Sequence, residues 1–322
     1  MSLDNLVDRR YFLGYAGVAI GTVLFSPIDA YGKKAPQKRQ LPKKQKPRKT
    51  IPGEKEPEWN PATPTESLDA RIEAQIGDLR AKGRIANDET VAVYVYDFTK
   101  AETLVAIKED QKMQAASMIK PYVALAYFDQ HFKKGWEYAD STRRLMELML
   151  RNSDNPATNK IMRMLGGPEK VQEILQESYA HLLPNTEIVE EIPPGGKTYL
   201  NKSTAQDYSR FLYQLYNETL QGSNEMKRLM SLKKRNRLTS FVRHMPPNIT
   251  AYDKTGTTAF LCGDMGVIRP RGKDGEEFPY TMIVIIEKDN RSNGKPWARE
   301  RGNVIRELSA TVFEHMKGTY RF

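Results

Sequence analysis

Cysteine is nearly absent from this chain: Cys262 is the only one in 322 residues. It has no partner for an internal disulfide and no companions for a zinc or iron–sulfur site. The four histidines, His131, His181, His244 and His315, are scattered without ligand spacing, so nothing in the sequence asks for a metal or another cofactor. Long apolar runs are also scarce. The stretch from Tyr11 to Phe25 has 15 residues, where a membrane span needs about 20. Acids are missing altogether between Lys33 and Lys49, which holds nine Lys/Arg and three prolines. Such a segment repels itself and cannot bury a core.

The charge that remains is uneven. Of the formal +10, residues 1–64 contribute 12 Lys/Arg against 6 Asp/Glu, so the basic signal belongs mainly to the N-terminal part. There, DRRYFLGYAGVAIGTVLFSPIDA places Arg9 and Arg10 just ahead of a moderately apolar stretch ending near Ala30, and resembles a twin-arginine export signal. This implies the export machinery as a partner and a site outside the cytoplasmic membrane, with an uncleaved N-terminal anchor as the alternative. The expected organisation is an export signal over 1–30, a basic Pro/Lys-rich tether over 31–65, and a folded domain over 66–322. The tether is a solvated spacer or an attachment to an anionic envelope surface through residues 33–49. Nucleic acid is a poor partner, because export removes the chain from it and no folded reading motif accompanies the charge.

From Glu66 the pattern is that of a folded body. Leu68, Ile72, Ile76 and Leu79 recur at helical spacing. ETVAVYVYDFTKAETLVAIKED reads as two strands joined at Thr99 to Glu102. Helical segments follow from Ser117 to about residue 245, including STRRLMELML, NPATNKIMRMLGG and TAQDYSRFLYQLYN. Strand-like runs NITAYDK, TAFLCGDMGVI and PYTMIVIIEKD come next, and GNVIRELSATVFEHMKG closes as an amphipathic helix. The fold class expected is α/β, an α+β sandwich: one antiparallel five-stranded sheet flanked by the terminal helices, with an all-helical subdomain inserted at about 117–245.

Chemistry concentrates in three short motifs. AASMIKPYVA puts Ser117 one turn ahead of Lys120 in an apolar helical run, so both side chains enter the same space. The S-x-x-K spacing recurs at Ser231–Lys234 and Ser292–Lys295, but SLKKRNR reads as a solvated basic run and SNGK as a turn. RNSDNPATN carries Ser153, Asp154 and Asn155 after a helical segment. AYDKTGTTAF carries Lys254, Thr255 and Gly256 on a strand. S-x-x-K, S-D-N and K-T-G in this order resemble class A β-lactamases and penicillin-binding proteins, the penicillin-recognising serine hydrolases, over roughly residues 66–318.

That resemblance implies Ser117 as the nucleophile and Lys120 as its base. Serine needs an adjacent base, and a lysine serves only when burial and neighbouring cations pull its pKa from about 10.4 toward 7. It further implies Ser153 as a proton relay between Lys120, Lys254 and the leaving nitrogen, and Asn155 as a ligand for the substrate amide. Lys254, Thr255 and Thr257 would grip the substrate carboxylate, with Gly256 giving it room along the strand. The backbone N–H groups of Ser117 and Thr257 would form an oxyanion hole, each donor contributing about 3 kcal/mol.

The departure from the family pattern lies in the loop between Gly167 and Thr204. Class A enzymes carry R-x-E-x-x-L-N there, whose glutamate activates the deacylating water. Here Glu190 and Glu191 fall near the place of that base, but without the preceding Arg, and Leu200–Asn201 stand nine or more residues downstream. The leading expectation is therefore an exported serine hydrolase that opens the amide of a β-lactam through an acyl-enzyme at Ser117. A D,D-peptidase acting on D-Ala-D-Ala ends of peptidoglycan peptides, and a non-catalytic envelope or peptidoglycan-binding module, are the alternatives.

Overall fold

The computed structural model describes residues 66–322; the expected export signal, its 1–30 boundary and the basic tether lie outside the described residues. The chain begins with α1 (Glu66–Ala81), then β1 (Glu89–Asp97) and β2 (Glu102–Ile107). A two-residue strand β3 (Met113–Gln114) leads into a 3-10 turn (Ala116–Ile119) and α2 (Lys120–Lys134). Helices α3 (Asp140–Arg151), α4 (Asn155–Leu165) and α5 (Pro168–Tyr179) follow, then β4 (Lys202–Ser203), α6 (Ala205–Tyr216) and α7 (Ser223–Met230). Strands β5 (Thr250–Thr257), β6 (Leu261–Arg269) and β7 (Tyr280–Lys288) precede the long α8 (Lys295–Tyr320).

The five long strands form one antiparallel sheet in the order β2-β1-β7-β6-β5, and β3 pairs with β4 as a separate ribbon. Alternation along a strand sends successive side chains to opposite faces. Val91, Val93 and Val95 of β1 and Val284 and Ile286 of β7 face the terminal helices, packing with Leu68 and Ile72 of α1 and Val304, Leu308 and Val312 of α8. Ala92, Tyr94 and Tyr96, with Ile283 and Ile285, face the helices between β2 and β5. Both faces are covered, which is why the central strands are mostly apolar. Within 117–245 the helices divide: α6 packs on β1, β6 and β7, whereas α3 and α4 pack against each other and α2.

Local signals set the ends that matter. Asp154 caps α4 by accepting from Ala157 N at 2.7 Å, Pro156 opens its first turn, and Gly166 ends it at φ +104°. Pro121 likewise opens α2, and Gly135 closes it at φ +68°. The nucleophile turn differs from the helix expected from Ser117 onward: Ser117 lies in the 3-10 turn, and the α-helix starts at Lys120. The sequence pattern also left α5, α7 and the β3–β4 ribbon undescribed. The far side of the sheet is closed by a buried lock, in which Arg301 of α8 donates from Nε and Nη2 to the two carboxylate oxygens of Glu89 at 2.8 Å each. Trp297 Nε1 also donates to Glu89.

Candidate active site

The three motifs come from elements distant in sequence and meet at one point. Lys120, wholly buried, places its Nζ 2.9 Å from Ser117 Oγ, 2.7 Å from the Ser153 carbonyl, 2.7 Å from Asn155 Oδ1 and 3.2 Å from Ser153 Oγ. Lys254 Nζ donates to Ser153 Oγ at 2.9 Å and to the Thr255 carbonyl at 2.9 Å. Ser153 Oγ therefore sits between two lysine nitrogens, and neither lysine meets a carboxylate there.

This environment decides which form Lys120 takes. Burial, then the charge of Lys254, lowers its pKa to about 6 against a smaller opposing pull from Asp154. A neutral amine has two protons and one lone pair. The shortest contacts, to the Ser153 carbonyl and Asn155 Oδ1, take the protons, which leaves the lone pair to accept the Ser117 hydroxyl proton. Lys254 is lowered to about 7 by burial, with Asp253 opposing and Lys234 assisting. The site thus holds a base that is free near neutrality and a second lysine poised to carry charge.

Backbone geometry supports the arrangement. Ala116 and Ser153 hold left-handed conformations, at φ +46° and +58°. Strain of this kind costs about 1–3 kcal/mol per residue and persists only where the surroundings enforce it. At Ser153 the enforcing contact is the hydrogen bond from Lys120 to its carbonyl. At Ala116 it is the seating of the 3-10 turn on the sheet. A Cβ at Gly256 would stand 3.0 Å from Met118 Cγ, 3.2 Å from Ala116 Cβ and 3.3 Å from the Ala115 carbonyl. Gly256 pairs with Gly263 across β5–β6, where a Cβ would meet Met118 Cε at 2.8 Å. Beside the room for substrate expected at Gly256, its missing side chain makes room for the nucleophile turn. The same contact brings the backbone around Ser117 against that around Thr257, the two segments nominated for the oxyanion hole.

Four residues in this region were not legible as functional. Arg237, in the stretch read as a solvated basic run, donates from Nη1 to the carbonyls of Gly263 (2.8 Å) and Gly256 (3.3 Å) and from Nη2 to Thr257 Oγ1 (2.7 Å). It adds a cation beside Thr257, which is exposed, and Thr255, which is half-buried. Lys234 of the second S-x-x-K copy reaches Asp253 at 3.3 Å. Asp253 and Asp264 stand diagonally on one face of β5–β6, since Asp253 pairs with Gly266 and Asp264 with Thr255. Asp253 Oδ2 and Asp264 Oδ1 are buried without a hydrogen-bond partner. Burial, then the charge of Asp253, pushes Asp264 up to about 7. The signal that could have found the set is the Asp-Lys step at 253–254: neighbouring charges on a buried strand each demand a partner.

The loop glutamates are held elsewhere. Glu190 Oε1 accepts from Thr198 Oγ1 (2.8 Å), Tyr199 N (2.7 Å) and Leu200 N (2.9 Å), and so ties the loop to itself. Glu191 takes a two-point ion pair from Arg163 of α4, with Nε at 2.7 Å. Among the described residues neither glutamate hydrogen-bonds Ser117, Lys120 or Asn155. Asn201 braces the same loop, accepting from Val189 N and Glu190 N and donating to the Glu190 carbonyl. A cleft of about 890 Å³ opens from Asn155 and Thr257 and runs between α4, the 191–199 loop and the start of α8.

A buried amine on a serine, a second lysine on a sheet edge, and a helical layer over a five-stranded antiparallel sheet define a hydrolase of the β-lactamase fold. The sequence matches the Beta-lactamase enzyme family over residues 71–141 and 131–316, and the chain belongs to that family. Among solved structures it is similar to a PBP-A mutant captured as an acyl-enzyme complex with penicillin G: 20% identity, 80% of this chain and 99% of that one, TM-score 0.64. It is also similar to a class A β-lactamase from Mycobacterium abscessus (19% identity, 77% and 98% covered, TM-score 0.60). A β-lactamase from Desulfarculus baarsii gives 17% identity, 79% and 99% covered, and a TM-score of 0.62. These likenesses establish the shared fold. No curated protein matches the chain.

Proposed function

We propose that Ser117 attacks the amide of β-lactams and of D-Ala-D-Ala-type peptides to give an acyl-enzyme, and that the acyl group derived from a lactam leaves slowly. The observation that carries this reading is the Lys120 nitrogen 2.9 Å from Ser117 Oγ, in a pocket that lowers its pKa to about 6. Lys120 takes the hydroxyl proton as the C–O bond forms, and the Ser117 and Thr257 backbone N–H groups hold the developing oxyanion. Ser153, between Lys120 and Lys254, carries the proton to the departing nitrogen. Lys254, Thr255, Thr257 and Arg237 hold the substrate carboxylate.

Slow release follows from the loop. Glu190 is occupied by three donors of its own loop and Glu191 by Arg163, so neither is held against the nucleophile to activate water. This favours a D,D-peptidase-like enzyme that recognises penicillin over a fast β-lactamase. The test is a time course of the full chain with a fluorescent penicillin, beside Ser117→Ala, read by intact mass. Serine-dependent label persisting for minutes is expected. Label that vanishes within seconds as hydrolysed drug accumulates would return the reading to β-lactam turnover, and no label would leave a binding module.

The cellular setting belongs to the same proposal. Arg9 and Arg10 direct export by the twin-arginine route, and the nine cations of 33–49 hold the domain at an anionic envelope surface. Fractionation of cells expressing the wild type and an Arg9→Lys/Arg10→Lys variant tests this: export of both forms alike would refute the route.

A further inference from the structure

The cleft beyond the reacting centre is larger than a lactam side chain needs and carries an unbalanced charge. It holds about 890 Å³ and is bounded by Arg163, Glu191, Lys197, Arg291 and Lys295 among its charged residues. Arg163 and Glu191 neutralise each other through their two-point pair. Lys197, Arg291 and Lys295 are exposed, and among the described residues none of the three forms an ion pair. Three cations on two walls of one groove, Lys197 on the loop, Arg291 in the segment before α8 and Lys295 at the first residue of α8, produce a focused positive field.

Asn155 connects this groove to the chemistry. Its Oδ1 is taken by Lys120 at 2.7 Å, and its Nδ2 is turned toward Gly196, standing 3.4 Å from where a Cβ on that residue would be. An acyl donor whose carbonyl carbon is at Ser117 and whose next amide meets Asn155 must extend along the floor between α4 and the Pro193–Lys197 segment. The same cleft is lined by Arg291 and Lys295. The carboxylate gripped by Lys254 and Thr257 is on the leaving side of the bond, so these cations serve a different, second anion.

We infer that this groove selects acyl donors whose acyl-side arm is a peptide carrying a carboxylate, with Lys197, Arg291 and Lys295 as the residues that recognise it. The inference rests on the proposed acylation of Ser117 and names the substrate class for it.

The test uses the full chain and two synthetic donors, acetyl-Glu-Gly-D-Ala-D-thiolactate and its Gln counterpart, with acylation followed by thiol release and intact mass. The Glu donor is expected to acylate Ser117 about tenfold faster at low salt, within the range that electrostatic steering provides. The ratio should fall toward one at 1 M salt, where the screening length shrinks to about 3 Å. It should fall likewise in Lys197→Gln/Arg291→Gln/Lys295→Gln. A control triple, Lys82→Gln/Lys100→Gln/Lys273→Gln, removes as much charge from exposed positions elsewhere and should keep the ratio. Equal rates for the two donors, a ratio that survives the groove triple, or loss of the ratio in the control triple would each overturn the inference while leaving penicillin labelling intact. Absence of acylation by both peptides and by penicillin would overturn the proposed function together with it.

Discussion

The domain buries cations in two places and treats them in opposite ways. On the outer face, Arg301 meets both oxygens of Glu89, a fully buried carboxylate side chain, at 2.8 Å. On the inner side, Lys120 and Lys254 are buried as deeply but face carbonyls, hydroxyls and one another. A paired guanidinium keeps its charge, so the first arrangement fixes α8 to β1. An unpaired ammonium in a dry place loses its proton, so the second yields a base. The difference shows that burial alone does not create a reactive group; burial without a carboxylate in direct contact does.

The contrast can be broken from either end. The largest effect should come from Lys120→Met, which removes the base and lowers penicillin acylation about 10³–10⁴-fold, while the melting temperature changes little, the gain from an apolar side chain being offset by loss of the hydrogen bond to the Ser153 carbonyl. A fall in melting temperature as large as that expected for Glu89→Gln would mean that Lys120 is held chiefly as structure, like Arg301. Glu89→Gln is expected to do the reverse. It leaves Arg301 uncompensated and costs about 3–5 kcal/mol of stability, read by denaturant unfolding, with serine labelling retained at temperatures where the domain stays folded.

A third prediction sharpens the contrast through pH. Acylation should rise as Lys120 sheds its proton near pH 6 and fall as Lys254 loses the charge that grips carboxylate near pH 7. Asp264 holds Lys254 up, so Asp264→Asn should move the alkaline limb to lower pH by less than about one unit. Stability carries the matching sign. The folded pKa of Lys120, about 6, lies below the unfolded value near 10.4, so the unfolded chain binds more protons across that window. Unfolding free energy should therefore increase with pH from about 6 toward 10, and in Lys120→Met the slope should fall to the part that Lys254, lowered to about 7, still supplies. The smallest effect concerns the loop: Glu190→Gln and Glu191→Gln, made separately, should each change the deacylation rate less than about threefold in single-turnover measurements. A hundredfold loss in either would restore a water-activating glutamate to the mechanism.

What could be seen in the sequence was whatever is local. Ser117 and Lys120 are three residues apart, Ser153 and Asn155 two, and Lys254 to Thr257 are consecutive, so each fragment carries its own signature. The five long strands and both terminal helices follow from period-2 and period-3.6 patterns whose apolar sides have one place to go. Arg237 was hidden because its partners are the carbonyls of Gly256 and Gly263, groups that every residue possesses. Asp264 was hidden because a lone acid in a strand reads as solvent-facing until its diagonal neighbour Asp253 is known. The packing part played by Gly256 was hidden for a related reason: a glycine announces that something comes close without saying what, and Met118 is one such neighbour. The loop acids could be found but not aimed, since a carboxylate accepting its own loop's N–H groups looks in sequence like one that faces a cleft.

Lys120 donates to the Ser153 carbonyl and so maintains the left-handed backbone that presents the Ser153 hydroxyl to both lysines. The reagent is therefore a piece of its own scaffold. An amine supplied from solution to a Lys120→Gly enzyme would have to rebuild the Ser153 turn as well as accept a proton, so chemical rescue should stay far below what the same treatment achieves where the missing side chain was a base and nothing more.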